Sequence, residues 1–414
     1  MSAPLTSPLA DRPYDVVLFG ATGFVGRLTA GYLARTAPPG LRVALAGRSK
    51  ERLEQVRGAL PGAAVDWPLL VVDSTDPADV EDLARCTRVV VTTVGPYGRY
   101  GLPLVLACAA AGTAYADLTG EVLFVRDSID RAHELARSTG ARIVHACGFD
   151  SVPSDLAVLL AAEQARADDA GTLTDTTLLV VAMKGGASGG TVDSLRHQID
   201  VMKADKGSRA VVADPYSLSP DRAAEPELGR QSDNFLTKRS AGRWVAPFVM
   251  ASFNTRIVRR SNALQDWAYG RTLRYSEVMG VGRSPVAPLL ASGVAVGVGV
   301  LAVGMALPPT RLLLDRVLPA PGAGPSQKTQ DNGFFHMETT AGTTSGARYR
   351  TTVRATGDPG YAATAVMLGE SALALALDDL PAGGGVLTPA TALGRPLADR
   401  LRAAGFTLTV EQLG

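Results

Sequence analysis

Side chains able to carry a proton stand just past several apolar runs: Tyr97 and Tyr100 after Arg88 to Val94, Asp117 and Glu121 after Ala114 to Ala116, and Asp150 after Arg142 to His145. A phenol or carboxyl group in such a place can protonate a carbon that has just received a pair of electrons. Tyr97 is the first candidate donor, and it serves equally well as a packing surface for a bound ring. Tyr100, Asp117, Glu121 and Asp150 are the alternatives, although Asp150 could also cap a turn. His145 stands at a strand end and reads as structural, and no His/Cys/Asp spacing suggests a metal.

The electrons must come from a bound group, and Tyr14 to Gly26, YDVVLFGATGFVG, has the pattern that holds one. Gly20 lets the chain turn sharply off a strand, Gly23 lets backbone amides approach a pyrophosphate, and Gly26 lets the following helix pack close. The start of that helix adds free N–H donors and a positive dipole end. A second strand, Arg42 to Ala46, ends in Gly47-Arg48-Ser49-Lys50, where a dinucleotide fold reads the adenosine ribose. An acidic residue there would suit NADH; Arg48 with Ser49 and Lys50 instead suits a 2′-phosphate, unless Arg48 only caps a solvated turn. NADPH is therefore expected in preference to NADH. The expected cofactor contacts are Gly20, Thr22, Gly23, Phe24, Val25, Gly26, Arg48, Ser49, Asp73, Thr93, Val94, Gly95 and Pro96. The expected catalytic residues are Tyr97, Asp117 and Asp150.

Positioning these groups requires a β-α repeat. Apolar runs predict strands at Leu69 to Val72, Arg88 to Val94, Ala114 to Asp117 and Arg142 to His145, separated by helices that include Lys50 to Leu60, Leu102 to Ala111 and Asp127 to Ser138. Arg88 to Val94 has no polar alternation, as expected of a parallel strand covered on both faces. The glycine-rich Gly95 to Gly101 reads as a ligand-facing loop beyond it. The expected fold class is α/β: a doubly wound parallel Rossmann sheet over residues 1–155, then an α+β substrate and dimerisation unit over 156–414. That second unit is expected to hold an antiparallel sheet with a hairpin from Phe334 to Thr356, and a helix from Tyr361 to Leu377. Residues 205–235 suggest no element.

The chain has 414 residues and a formal net charge of +1, a balance that argues against nucleic acid as the main partner. Cys86, Cys108 and Cys147 are scattered and odd in number, which fits a reducing cytoplasm, and no signal segment precedes Tyr14. Val286 to Leu307 carries no charge and is long enough to cross about 30 Å of hydrocarbon. Lys238 to Arg283 before it is strongly basic, with Arg256, Arg259 and Arg260 at its centre. That pairing suggests a peripheral contact with the inner face of the plasma membrane, or with an acidic acyl carrier protein; a buried helix with a solvated basic flank is the other reading.

The segments GATGFVGRLTAGYLAR, LAGRS, TTVGPYGRYGLPLV, YADLTGE, ACGFDSVPSD, FNTRIVRRSNALQDWAYGR and GPSQKTQ occur in order along most of the chain. In them the chain resembles the saccharopine dehydrogenase-like family, and is most similar to its trans-acting enoyl reductase branch. The resemblance implies an NADP(H)-dependent reductase of an acyl chain held on a polyketide synthase or acyl carrier protein, in the biosynthesis of complex lipids or glycolipids. Two other readings remain open: a saccharopine-type amino-acid reductase, and a lipid-associated Rossmann protein without catalysis. A homodimer is also expected.

Overall fold

A computed structural model describes residues 11–185, 189–226, 238–240, 242–306, 332–381 and 383–414, with isolated positions between 310 and 330. The first half alternates β1 (Tyr14–Phe19), α1 (Phe24–Thr36), β2 (Val43–Gly47), α2 (Lys50–Gly58), β3 (Leu69–Val71), α3 (Pro77–Cys86), β4 (Thr87–Thr92), α4 (Tyr97–Ala111), β5 (Ala114–Ala116), α5 (Val122–Thr139) and β6 (Arg142–Val144). There follow α6 (Val152–Ala167), β7 (Leu173–Lys184), α7 (Gly189–Ala204), α8 (Lys206–Ala213), β8 (Lys238–Ser240), β9 (Arg243–Pro247), α9 (Ala251–Leu264), β10 (Arg274–Gly282) and α10 (Ala287–Ala306). The chain ends with β11 (Phe334–Thr343), β12 (Arg348–Thr356), a π-helical turn at Pro359–Ala363, α11 (Thr364–Leu377), β13 (Gly385–Leu387), α12 (Pro389–Ala392), α13 (Gly394–Ala403) and β14 (Thr407–Leu413).

Among the described residues each of two sheets has seven strands, the first in the order β13-β6-β5-β4-β1-β2-β3. Its pairings are parallel throughout, and β1, β2 and β4 are apolar because helices cover both faces. The amino ends of its strands are held by charge: Asp15 on β1 pairs with Arg42 at 2.8 Å and with Arg88 at 3.4 Å. Hydrogen bonds from Arg42 hold the Asp15 carboxyl down to about 2. The carboxyl ends are left free to bind.

The second sheet runs β14-β12-β11-β7-β10-β9-β8 and is mixed, since β7 and β10 pair in parallel while β11 and β12 form the expected antiparallel hairpin. A division at 155 does not hold for the first sheet, which β13 completes by pairing with β6. Helix α11 likewise returns to pack on α1, β4 and β5. The span Pro359–Leu377 is long and apolar enough to cross a membrane, and 72% of its most apolar stretch is buried in the protein.

Two expectations need correction. Helix α4 begins at Tyr97 rather than Leu102, so Tyr97 to Gly101 is helix and not loop. The arginines at the centre of the basic stretch do not face solvent. Arg256 donates to the carbonyls of Val212 and Asp214, Arg259 to those of Pro215 and Tyr275, and Arg260 to those of Leu218 and Val386, each bond between 2.5 and 3.2 Å. Helix α9 thus holds the segment after α8 and β13 by its cations, and burial brings the Arg260 guanidinium down to about 9.

Removing Arg260 leaves two buried carbonyls without their donor. Arg260→Ala should cost about 3 kcal/mol in urea denaturation, because each bond from a charged donor contributes about 1.5–3 kcal/mol. The exposed Arg283→Ala should change stability by less than about 0.5 kcal/mol. Similar midpoints for the two variants would show that Arg260 does not hold β13.

Candidate functional site

Helix α1 starts from a turn that only glycine fits. Gly20 has φ +86°, and a Cβ there would stand 2.7 Å from Thr93 Oγ1 and 2.9 Å from Val94 Cγ2. A Cβ on Gly26 would overlap the Gly20 carbonyl oxygen. Gly23 is the N-cap of α1 and brings no side-chain cap, so the first-turn amides beside Thr22, Phe24 and Val25 stay open toward a ligand. Thr93 Oγ1 donates to the Gly20 carbonyl at 3.1 Å and Val94 N–H to Thr92 Oγ1 at 3.1 Å, joining the ends of β1 and β4; Gly95-Pro96 follows as a cis peptide. A dinucleotide pyrophosphate fits this cradle, which a side chain at 20 or 23 would fill.

Arg48 lies just beyond β2, exposed and without an ion pair among the described residues. Ser49 caps α2 by accepting from Arg52 N–H at 3.3 Å. Asp73 turns back on its own loop, accepting from Thr75 N–H at 2.9 Å and Thr75 Oγ1 at 2.8 Å, with the backbone bond foremost in lowering its pKa. Its carboxylate therefore shapes the edge of the adenosine side of the cradle.

The expected acids divide into three kinds. Asp117 is fully buried: Oδ1 accepts from Thr119 N–H at 3.1 Å and Ala146 N–H at 3.0 Å, while Oδ2 accepts from Tyr115 Oη at 2.9 Å and His145 Nδ1 at 2.7 Å. Its acceptor positions are all so engaged. Glu121 accepts from Tyr97 N–H at 2.8 Å, Gly98 N–H at 3.0 Å and Ser194 Oγ at 2.7 Å, and so fills the amino end of α4. Burial raises its pKa, with those bonds opposing. Asp150 alone is partly exposed and has no hydrogen bond or ion pair among the described residues; burial raises its carboxyl to about 6.

Tyr97 is buried, stacks on Phe124, donates to the Thr92 carbonyl at 3.1 Å and accepts from Leu118 N–H at 3.2 Å. Burial raises its pKa well above the ordinary phenol value. Its hydroxyl points into the protein, not out of the sheet edge. The structure thus brings the glycine turn, Thr93 to Pro96, the Asp117 to Glu121 loop and Asp150 to one edge, and withdraws Tyr97 from it.

Other groups reach this edge from the second half of the chain, where no local pattern marks them. Tyr361 on the π-helical turn meets Phe24 edge-on at 4.9 Å and accepts from Gly189 N–H at 3.3 Å. Thr364 Oγ1 accepts from Phe149 N–H at 3.0 Å. A Cβ on Gly120 would lie 3.5 Å from Met250 Cε and 3.7 Å from Asp150 Oδ2, so glycine there keeps space beside the acid. Of the GPSQKTQ segment, Gly324 lies against the Phe24 ring, and residues 325–328 are outside those described.

The saccharopine dehydrogenase NADP-binding domain family matches residues 16–144. The trans-acting enoyl reductase of Mycobacterium bovis is 50% identical, over 98% of this chain and 99% of its own. That of Mycobacterium ulcerans is 49% identical over similar shares, 98% and 99%. The Mycobacterium tuberculosis protein Rv2449c is 54% identical over 97% of this chain and 98% of its own. Among solved structures, saccharopine dehydrogenase (L-Glu forming) from Saccharomyces cerevisiae superposes with a TM-score of 0.55 at 12% identity, over 97% of this chain and 100% of that one, a likeness of fold.

The cradle and the matched family agree on NADPH. Arg48→Asp should weaken NADPH binding about tenfold or more in a fluorescence titration and leave NADH nearly unchanged, because only NADPH carries the 2′-phosphate. Equal loss of both would remove Arg48 from the phosphate site.

Proposed function

The chain belongs to the trans-acting enoyl reductases, built on the saccharopine dehydrogenase fold, and from that we propose that it reduces the conjugated double bond of an acyl thioester delivered by a separate polyketide synthase or acyl carrier protein. NADPH supplies the hydride, which goes to the β-carbon. The turn Gly20 to Gly26 and the open start of α1 hold its pyrophosphate, and Arg48 its 2′-phosphate. Thr93 to Pro96 form the wall between that cradle and the acid loops.

One observation carries the assignment of the proton donor. Among Asp117, Glu121 and Asp150, only Asp150 has a carboxyl group free to exchange a proton, and its raised pKa keeps part of it protonated near neutral pH. Asp150 donates to the α-carbon after the hydride has arrived. The amides of Tyr97 and Gly98 already serve Glu121, so helix α4 does not stabilise the enolate oxygen.

A second observation bears on the partner. Helix α10 exposes Leu289 at 75%, Leu290 at 56% and Val296 at 61%, which lie on one face by helical spacing. That face supports a contact with a lipid surface or an acyl-bearing partner, in complex-lipid biosynthesis, and the three free cysteines fit a reducing compartment such as the cytoplasm. We assign the charged part of any such contact to exposed residues such as Arg271, Arg274 and Arg283, because Arg256, Arg259 and Arg260 are buried.

The activity test mixes purified protein with NADPH and a trans-2-enoyl thioester and follows the nicotinamide absorbance. Turnover is expected, and turnover with an amino diacid alone would favour the saccharopine-type reaction. Since the acid form is the active one, kcat/KM should fall tenfold per pH unit above about 6. Asp150→Asn should remove that limb and lower kcat about 100-fold or more; an unchanged profile rules Asp150 out as donor. Replacing both Leu289 and Leu290 by Ser should reduce binding to anionic vesicles or to the acyl-bearing partner while turnover of a free enoyl thioester stays within about twofold. Sedimentation of the same variant tests whether this face instead makes a homodimer.

A further inference from the structure

Helices α1 and α2 leave between them a cavity of about 510 Å³, lined by Thr22, Arg27, Arg35, Arg52 and Gln55 among others. Several cations on this half of the fold have acids beside them: Arg85 pairs with Glu81, Arg126 with Asp130, and Arg137 with Glu134. The groove is different. The side chains of Arg35 and Arg52 have no ion pair or hydrogen bond among the described residues, and the Arg27 guanidinium donates only to the Thr22 carbonyl, at 2.6 Å. Glu51, the acid next to Arg52, accepts from Ser49 Oγ at 2.8 Å and is drawn back to the start of α2. The groove thus carries three guanidiniums and no carboxylate among its lining residues.

The position of the groove names the anion. It opens at Thr22, inside the glycine turn, and Arg52 stands one helical turn past Arg48, its own amide bonded to the Ser49 cap. Arg27 and Arg35 are eight residues apart, about 12 Å along the helix, so a single phosphate that meets Arg27 at the mouth does not meet Arg35.

We propose that Arg52, which lines this groove together with Arg27, is a second grip on the 2′-phosphate of NADPH, so that discrimination against NADH is shared between the β2 turn and helix α2. This rests on NADPH being the cofactor. A phosphate dianion takes two guanidiniums readily, each through paired N–H bonds that a ribose hydroxyl cannot match. Arg35, deeper in the groove, adds positive potential without contact.

The test uses Arg52→Gln in the full chain, with affinities for NADPH, NADH, 2′-AMP and 5′-AMP measured by calorimetry. NADPH and 2′-AMP should bind about tenfold more weakly, NADH and 5′-AMP should be unchanged, and the salt dependence of NADPH binding should flatten. Arg35→Gln should leave all four within about twofold at moderate salt. Unchanged affinity for NADPH and 2′-AMP in Arg52→Gln, or equal loss of NADH, overturns the grip. Wild-type protein that binds NADPH no more tightly than NADH overturns the cofactor assignment itself, which separates the two failures.

Discussion

The carboxylate of Asp117 is the interaction on which the site depends. Standing at the end of β5, it takes bonds from Thr119, Ala146, Tyr115 and His145, which ties its own loop to the end of β6. Ala146 needs that tie, because it has φ +62°, a conformation that costs a non-glycine residue about 1 kcal/mol or more. The backbone leaves β6 through this residue, and Cys147 N–H returns to the Asp117 carbonyl at 2.7 Å. Beyond it Gly148 is confined: a Cβ there would stand 2.7 Å from Leu118 and 3.2 Å from Thr364. The loop that leads to Asp150 is thus held by the Asp117 carboxylate.

Of the helices that begin at the carboxyl edge of the first sheet, α1 and α4 differ in how their amino ends are filled. At α1 the N-cap is a glycine without a side chain, so the dipole and amides are open to an anion from outside. At α4 the protein provides its own anion, Glu121, which bonds the first two amides. The amino end of α4 is therefore closed to an outside anion, whereas that of α1 is open. The bond from Ser194 on α7 makes that arrangement a joint between the two halves of the chain.

The glycine turn and the β-α repeat were legible because each is local: a turn, an apolar run. The start of α4 was not, since Gly95-Pro96-Tyr97-Gly98 has the composition of a loop and the group that stabilises it as helix lies 24 residues away in Glu121. Strand β13 is three residues long and joins β6 from beyond six of the seven strands of the second sheet, so no window of sequence contains both. The buried arginines of α9 misled for a related reason. Charge pattern predicts solvent, whereas the partners of Arg256, Arg259 and Arg260 are backbone carbonyls, which no residue type announces.

The pKa of Asp150 links the second half of the chain to the chemistry of the first. Desolvation is the cause of its rise, and segments from beyond the Rossmann repeat come near its loop: Met250 lies beside Gly120, and Thr364 holds the neighbouring Phe149. The same π-helical turn sends Tyr361 onto Phe24 in the glycine turn. A π-helical insertion shifts the side chains after it relative to those before it, which lets one short segment meet both the phosphate cradle and the acid loop. The returning segment thus borders both the cradle and the loop that carries Asp150, the donor proposed above.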